Sequence, residues 1–309
     1  MKLPDNKKAI YLITGCYGFI GKKMVDFLLY HGYKVIGLDI RDDGSICNEN
    51  FHFIYFSFPD CLEKLNGVNV STIYHFAWYG VSTSDKNDLD KQITNVSITL
   101  NLLKLAKFVK AKRIVIPGSI SEFSRCKKPV KGTEKESPSD MYSATKVAIK
   151  KIATEYCKKN GLCLNWVLIT SVFGTDRSDN NLLTYAIKSL LNNQVVETTK
   201  LEQIWDYIYI DDLINALYII GKNGKKNVTY PIGSGRCEKL SFYVNFIAKT
   251  LDKEKYLLIG KKEYKNTFID NSIVDISKLR RLGFRCGQSF EKNIIHVIDC
   301  YKELQNKDK

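Results

Sequence analysis

Ala9-Ile10-Tyr11-Leu12-Ile13-Thr14-Gly15-Cys16-Tyr17-Gly18-Phe19-Ile20-Gly21 is an apolar run that breaks into three glycines spaced three apart and then turns helical. It reads as strand, tight turn and helix. Each glycine has its own task in that reading: Gly15 lets the strand turn sharply, Gly18 lets the backbone close on a pyrophosphate, and Gly21 lets the helix pack against the strand. The helix N-terminus then faces the phosphates. There, unpaired N–H groups and the positive end of the helix dipole stabilise negative charge without any basic side chain.

The flanking sequence supports this. Lys22 to Tyr30 continues with apolar Met24, Val25, Phe27, Leu28 and Leu29, His31-Gly32 ends the helix, and Tyr33 to Asp39 is a second strand. Asp39 stands where a dinucleotide-binding unit places a carboxylate for the ribose hydroxyls, roughly 20 residues past the loop. It favours NAD over NADP. Arg41, two residues on, is the side chain that would pair with a 2′-phosphate, which keeps NADP as the second choice. Tyr17, Phe19 and Ile20 complete the turn that meets the cofactor.

With 309 residues, 44% of them apolar, the chain can bury a full core in one large or two coupled domains. No apolar run approaches the roughly 18 residues of a membrane span, and the first eight residues lack an apolar signal core. A cytoplasmic protein with no membrane partner is expected. Nine cysteines, scattered singly without a C-x-x-C pair, and only four histidines point to neither a disulfide framework nor a metal site. The formal net charge of +14 is spread in short lysine pairs such as Lys22-Lys23 and Lys261-Lys262, with no basic-aromatic stripe. Nucleic acid is therefore not expected as the main partner.

Further along, Asn50 to Phe58 reads as a strand, Pro59 to Leu65 as a short helix and Val70 to Ala77 as a strand. A long helix follows over about Leu89 to Val109, with Ile93, Val96, Leu100, Leu103 and Ala106 on one apolar stripe. Arg113 to Gly118 is the next strand, Met141 to Cys157 a helix, and Cys163 to Val172 another strand. This alternation predicts a doubly wound parallel α/β sheet of Rossmann type with a smaller C-terminal α/β substrate-binding region. The dinucleotide-binding part covers 1–172 with a returning segment at about 204–234, because Val228 to Gly233 reads as one more strand. The substrate-binding part covers 173–203 and 235–309.

Chemistry concentrates in Tyr142-Ser143-Ala144-Thr145-Lys146, where an (i, i+4) spacing puts a phenol and an ammonium on one helix face. At an effective dielectric near 20 and about 5 Å, the charge stabilises a phenolate by ~3 kcal/mol, or ~2 pKa units. Tyr142 is thus expected as a general acid/base near neutral pH, exchanging a proton with a hydroxyl while hydride moves at a nicotinamide. Ser119 lies just past a strand's carboxyl end, where open α/β sheets place their ligands. Its hydroxyl can hold the reacting oxygen.

The glycine loop, Asp39, His75-Phe76-Ala77, Asn95, Ser119 and Tyr142-x-x-x-Lys146 together resemble the extended short-chain dehydrogenase/reductase family, which includes nucleotide-sugar epimerases, dehydratases and reductases. Trp205 to Asp212, and Asp275-Ile276-Ser277-Lys278 followed by Leu282-Gly283-Phe284, are similar to its C-terminal motifs, so the resemblance covers nearly the whole chain. It implies catalytic Ser119, Tyr142 and Lys146, with Lys146 also on the nicotinamide ribose, Ala77 beside the cofactor, and Asn95 in the cofactor site, helping to shape it through the long helix. It further implies a substrate site drawing on Trp78, Ser119, Ser121, Tyr142, Ser171, Arg177 and Trp205, and a homodimer serving deoxysugar biosynthesis for cell-surface polysaccharide. Three departures bear on the reaction. Trp205 replaces the arginine that grips the substrate diphosphate in many members, a charge that Arg177, Arg236 or a lysine would have to supply. Ser57 stands where an aspartate usually meets the adenine. Ile120 and Ser121 occupy the positions of the dehydratases' Asp-Glu pair, which disfavours elimination. Reduction of a nucleotide-linked 4-keto-6-deoxysugar is the leading expectation and 4-epimerisation with tightly bound NAD the second. A non-catalytic nucleotide- or nucleic-acid-binding protein is the third.

Overall fold

The computed structural model describes residues 9–82, 84–175, 181–264 and 271–307; Arg177 lies outside the described residues. Strand and helix alternate through the first half: β1 (Ile10–Thr14), α1 (Phe19–Tyr30), β2 (Lys34–Asp39), β3 (Phe51–Tyr55), α2 (Cys61–Lys64), β4 (Thr72–His75), α3 (Leu89–Phe108), β5 (Arg113–Ser119), α4 (Met141–Lys159) and β6 (Cys163–Ile169). The second half runs β7 (Ser171–Phe173), α5 (Leu182–Leu191), β8 (Val196–Thr198), β9 (Ile204–Tyr209), α6 (Ile210–Asn223), β10 (Val228–Ile232), β11 (Cys237–Lys239), α7 (Leu240–Thr250), β12 (Leu257–Ile259), β13 (Asn271–Ser272), α8 (Ser277–Arg281) and α9 (Phe290–Lys307).

Seven strands form one sheet in the order β3-β2-β1-β4-β5-β6-β10, every neighbouring pair parallel. Its central strands are apolar on both faces, as a sheet covered by helices on both sides requires: Leu12, Ile13, Ile73, Ile114, Val115 and Ile116 are all fully buried. The strand order reverses at β1, which lies between β2 and β4, so the crevice for a ligand opens at the carboxyl ends of these strands. The doubly wound α/β expectation is met.

Two details differ from the sequence reading. Residues 163 to 172 do not form one strand: β6 ends at Ile169, Thr170 N–H gives the last bond of its ladder with β10, to Ile232 O at 3.1 Å, and beyond it β7 pairs with β9 instead. The stripe assigned to α3 holds in its second half, where Leu103 and Ala106 are buried, but not in its first: Ile93 and Leu100 are exposed, while Gln92, Asn95 and Thr99 are buried. The inward face of this helix is polar along its first half because it meets loop backbone there.

Beyond β6, strands β11, β9 and β13 form a second sheet with β7 on β9, and β12 pairs with β8. The chain packs again on the large sheet through α6 and β10. A separate apolar cluster, including Phe173, Leu183, Tyr207, Tyr243 and Phe290, holds the small sheet to α5, α7 and α9. Among the described residues no helix is long and apolar enough to cross a membrane.

Candidate active site

The turn after β1 is built around its glycines. Gly15 sits at φ +68°, and a Cβ there would lie 2.7 Å from Ala77 N. At Gly21 a Cβ would fall 1.9 Å from Gly15 O, so this glycine sets how closely α1 meets the turn. Gly18 differs from both. It is exposed, caps α1 in extended backbone without a side-chain hydrogen bond, and meets nothing closer than Gly15 O at 3.3 Å. The first turn of α1, at Phe19 and Ile20, thus stands beside a backbone that an anion can approach.

Asp39 ends β2 beside this turn, its Oδ2 accepting from Tyr17 N at 3.1 Å and its Oδ1 from Ile40 N at 2.8 Å. The Tyr17 hydroxyl donates to Asp42, which adds a second carboxylate on the same side. Arg41 is exposed. A cradle that a Cβ would fill, a helix N-terminus opening on it and a fixed carboxylate fit a dinucleotide with an unsubstituted ribose.

At the carboxyl end of β5, Ser119 caps a short 3-10 turn. Its Oγ accepts from Ser121 N at 3.2 Å and from Ser121 Oγ at 2.7 Å, and it lies beside the Tyr142 phenol. Helix α4 presents Tyr142 because Asp140 caps it, accepting from Ser143 N at 2.7 Å, and because Tyr142 N donates to Lys86 O at 2.9 Å. Lys146 Nζ donates to Pro117 O at 2.7 Å and lies 3.3 Å from the centre of the Trp78 ring. Trp78 in turn stands edge-on to Tyr142 with ring centres 5.9 Å apart. The structure therefore brings Trp78, Ser119, Ser121, Tyr142 and Lys146 together.

Electrostatics correct one expectation. The lysine was expected to pull the phenol down, but burial pushes Tyr142 well above its usual pKa, and a nearby carboxylate, Glu122, adds to the rise. Burial also lowers Lys146 to about 7, against the pull of Glu122. Desolvation outweighs the helix pair, so the Tyr142 phenol holds its proton at neutral pH.

The loop carrying Trp78 is held from below by a chain of buried polar groups. Thr99 Oγ1 donates to Asn95 O at 2.9 Å, so it accepts from His75 Nε2 at 3.1 Å, and His75 Nδ1 accepts from Thr14 Oγ1 at 2.7 Å. Burial, with Lys146 nearby, drives His75 down to about 3, keeping it neutral. Asn95 accepts from Tyr79 N at 2.8 Å and donates to Tyr79 O at 2.9 Å. Fully buried, Asn95 holds that backbone and so positions the loop, in keeping with the expectation that it helps to shape the site through the long helix.

Ser171 and Trp205 bond each other across β7 and β9, Trp205 Nε1 donating to Ser171 Oγ at 2.7 Å. Arg236 is engaged by Glu238 at 3.2 Å and Glu291 at 2.7 Å. The sequence reading missed Glu122. It is fully buried behind Ser119, accepting from Ser119 N at 2.8 Å, and the Ser-x-x-Glu spacing of a capping box was the signal for it.

A Rossmann sheet, a glycine cradle and a Ser-Tyr-Lys set define a dinucleotide-dependent enzyme fold. The chain matches the model of the NAD dependent epimerase/dehydratase family over residues 11–233 and belongs to that family. Similar proteins include the CDP-abequose synthase of Salmonella muenchen, 26% identical over 303 residues, covering 96% of this chain and 98% of that one. The UDP-glucuronate 4-epimerase of Thermodesulfobacterium geofontis is 28% identical over 319 residues, covering 95% and 96%. Among solved structures, the UDP-glucose 4-epimerase of Thermotoga maritima superposes with a TM-score of 0.86 at 21% identity, covering 96% of this chain and 99% of that one. The protein is an NAD-dependent enzyme of the nucleotide-sugar epimerase, dehydratase and reductase type.

Proposed function

We propose that the enzyme reduces a nucleotide-linked 4-keto-6-deoxysugar. The observation that carries this reading is a proton-donor set without an acid free for elimination. Ser121 donates to Ser119, whose hydroxyl stands beside the raised phenol of Tyr142, while Glu122 is committed to Ser119 N–H and to Trp166 Nε1 at 3.1 Å. Ser119 orients the ketone oxygen. Tyr142 gives that oxygen its proton, and the Lys146 ammonium stabilises the phenolate left behind. NADH, when bound, supplies the hydride. Gly15, Gly18, the α1 N-terminus and Asp39 would hold it.

A second reading, 4-epimerisation with retained NAD, draws on the same three residues and on the likeness to a UDP-glucuronate 4-epimerase. The two separate in one experiment. A reductase arrives free of cofactor and consumes NADH, read at the nicotinamide absorbance, with 4-keto-6-deoxysugar nucleotides made in situ. An epimerase arrives with NAD bound and interconverts UDP-glucose or UDP-glucuronate with its 4-epimer, read by NMR. Protein that binds NADH and turns over neither class would support the non-catalytic reading.

The proposal includes the division of labour between 1–172 with the segment at 204–234 and the substrate-binding stretches 173–203 and 235–309. It also includes a homodimer: α3 and α4 pack together yet leave Leu89, Ile93, Leu100 and Ile152 exposed. The cytoplasm is the proposed location.

A further inference from the structure

We propose that Glu122 is the buried counter-charge of the Ser119, Tyr142 and Lys146 set, a positioning residue that keeps the Lys146 side chain an ammonium in a desolvated pocket. This rests on the reaction reading above for what Lys146 does, but its test uses no turnover.

Three observations carry it. Both groups are out of solvent, Glu122 at 0% and Lys146 at 4% exposure. They grip one short segment, Pro117-Gly118-Ser119: the ammonium takes Pro117 O at 2.7 Å and the carboxylate takes Ser119 N–H at 2.8 Å. The middle residue has to be glycine, since a Cβ on Gly118 would fall 2.2 Å from Glu122 Oε1 and 2.1 Å from Trp166 Nε1. The carboxylate is thereby seated against the strand end that carries the reacting serine.

A buried ammonium without an anion gives up its proton, and a buried carboxylate without a cation takes one. Burial moves each group that way, Lys146 down to about 7 against the charge of Glu122, and Glu122 up to about 6 against the Ser119 N–H, the charge of Lys150, the Trp166 N–H and the charge of Lys146. The charged and titratable surroundings are few. Helix α4 brings Tyr142, Lys146 and Lys150 to Glu122; Lys150 also pairs with Glu136 at 3.3 Å. From β6 comes Trp166, which carries no charge, and from β4 comes His75, held neutral and facing Lys146. Asp140 acts on Tyr142 from the start of α4.

Glu122→Gln keeps an acceptor for Ser119 N–H and Trp166 while removing the charge. With lysine labelled at Cε and Nζ, and Lys146 assigned by its loss in Lys146→Met, NMR follows its titration directly. In Glu122→Gln the Lys146 midpoint should move to lower pH by about one unit. Coupling is reciprocal, so in Lys146→Met the Glu122 carboxyl carbon should titrate higher by a similar amount. An unchanged Lys146 midpoint in folded Glu122→Gln, or an unchanged Glu122 midpoint in Lys146→Met, overturns the proposal. If Glu122→Gln does not fold, the Lys146→Met arm decides alone. Wild-type turnover in Tyr142→Phe would instead defeat the reaction reading and leave both titrations as they are.

Discussion

Gly18 and Gly21 are three residues apart in one motif, yet the structure assigns them separable failures. Gly18 has φ −73° and ψ 165°, a backbone any residue adopts, and its Cβ would meet only Gly15 O at 3.3 Å. Gly18→Val should therefore fold with little change in stability. Its side chain would stand in the open cleft and keep phosphate from the α1 N–H groups. Losing one or two charge-assisted hydrogen bonds costs about 1.5–3 kcal/mol each, so NAD should bind at least about 10-fold more weakly. Gly21→Ala puts a methyl 1.9 Å from Gly15 O, an overlap with backbone that only a shift of α1 relieves. Overpacking of this kind costs about 3 kcal/mol or more, a fall in Tm of about 5 °C or more for a chain of 309 residues. Calorimetry with NAD and thermal melts measure both. Unchanged NAD affinity in folded Gly18→Val, or a wild-type melt for Gly21→Ala, would refute the account of the loop.

NADH should bind more tightly than NADPH, because a 2′-phosphate would meet Asp39 with Asp42 close by; a preference for NADPH in equilibrium titrations would move the role to Arg41. His75, at about 3 in the folded chain against an ordinary value near 6.5, leaves the unfolded chain binding one more proton between those limits. Its contribution to stability is thus lost as pH falls, at about 1.4 kcal/mol per pH unit from about pH 6 to pH 4. Urea titrations across that range should show a slope shallower by that amount in His75→Gln, and an equal slope would contradict its buried neutral state. Ile93→Glu on the exposed face of α3 should yield monomers in sedimentation velocity where the wild type gives dimers; a wild-type monomer would remove the dimer from the proposal.

How much of this was legible beforehand follows from what each signal depends on. The glycine turn, Asp39 and Tyr142-x-x-x-Lys146 are local, and their geometry follows from strand and helix periods alone. The first half of the inner face of α3 was misread because hydrophobic periodicity assumes that what is buried is apolar, whereas Asn95 and Thr99 are buried to satisfy the backbone of Tyr79 and the ring of His75. The break at Thr170 shows only in the change of partner strand, from β10 to β9, and both partners lie far along the chain, where no local pattern reaches. Tyr142 illustrates the same limit for chemistry. Its spacing from Lys146 is local, but the burial that sets both pKa values, and the carboxylate of Glu122 behind Ser119, come from packing.

The central claim is that Tyr142 donates the proton while hydride reaches a ketone on a nucleotide-linked sugar. The direct measurement is single-turnover oxidation of NADH by wild-type and Tyr142→Phe enzyme with 4-keto-6-deoxysugar nucleotides made in situ. NADH affinity should be retained, since the phenylalanine keeps the ring against Trp78, and the rate should fall about 10²–10⁴-fold, the range of a positioned general acid. A Tyr142→Phe enzyme that oxidises NADH at the wild-type rate would contradict it.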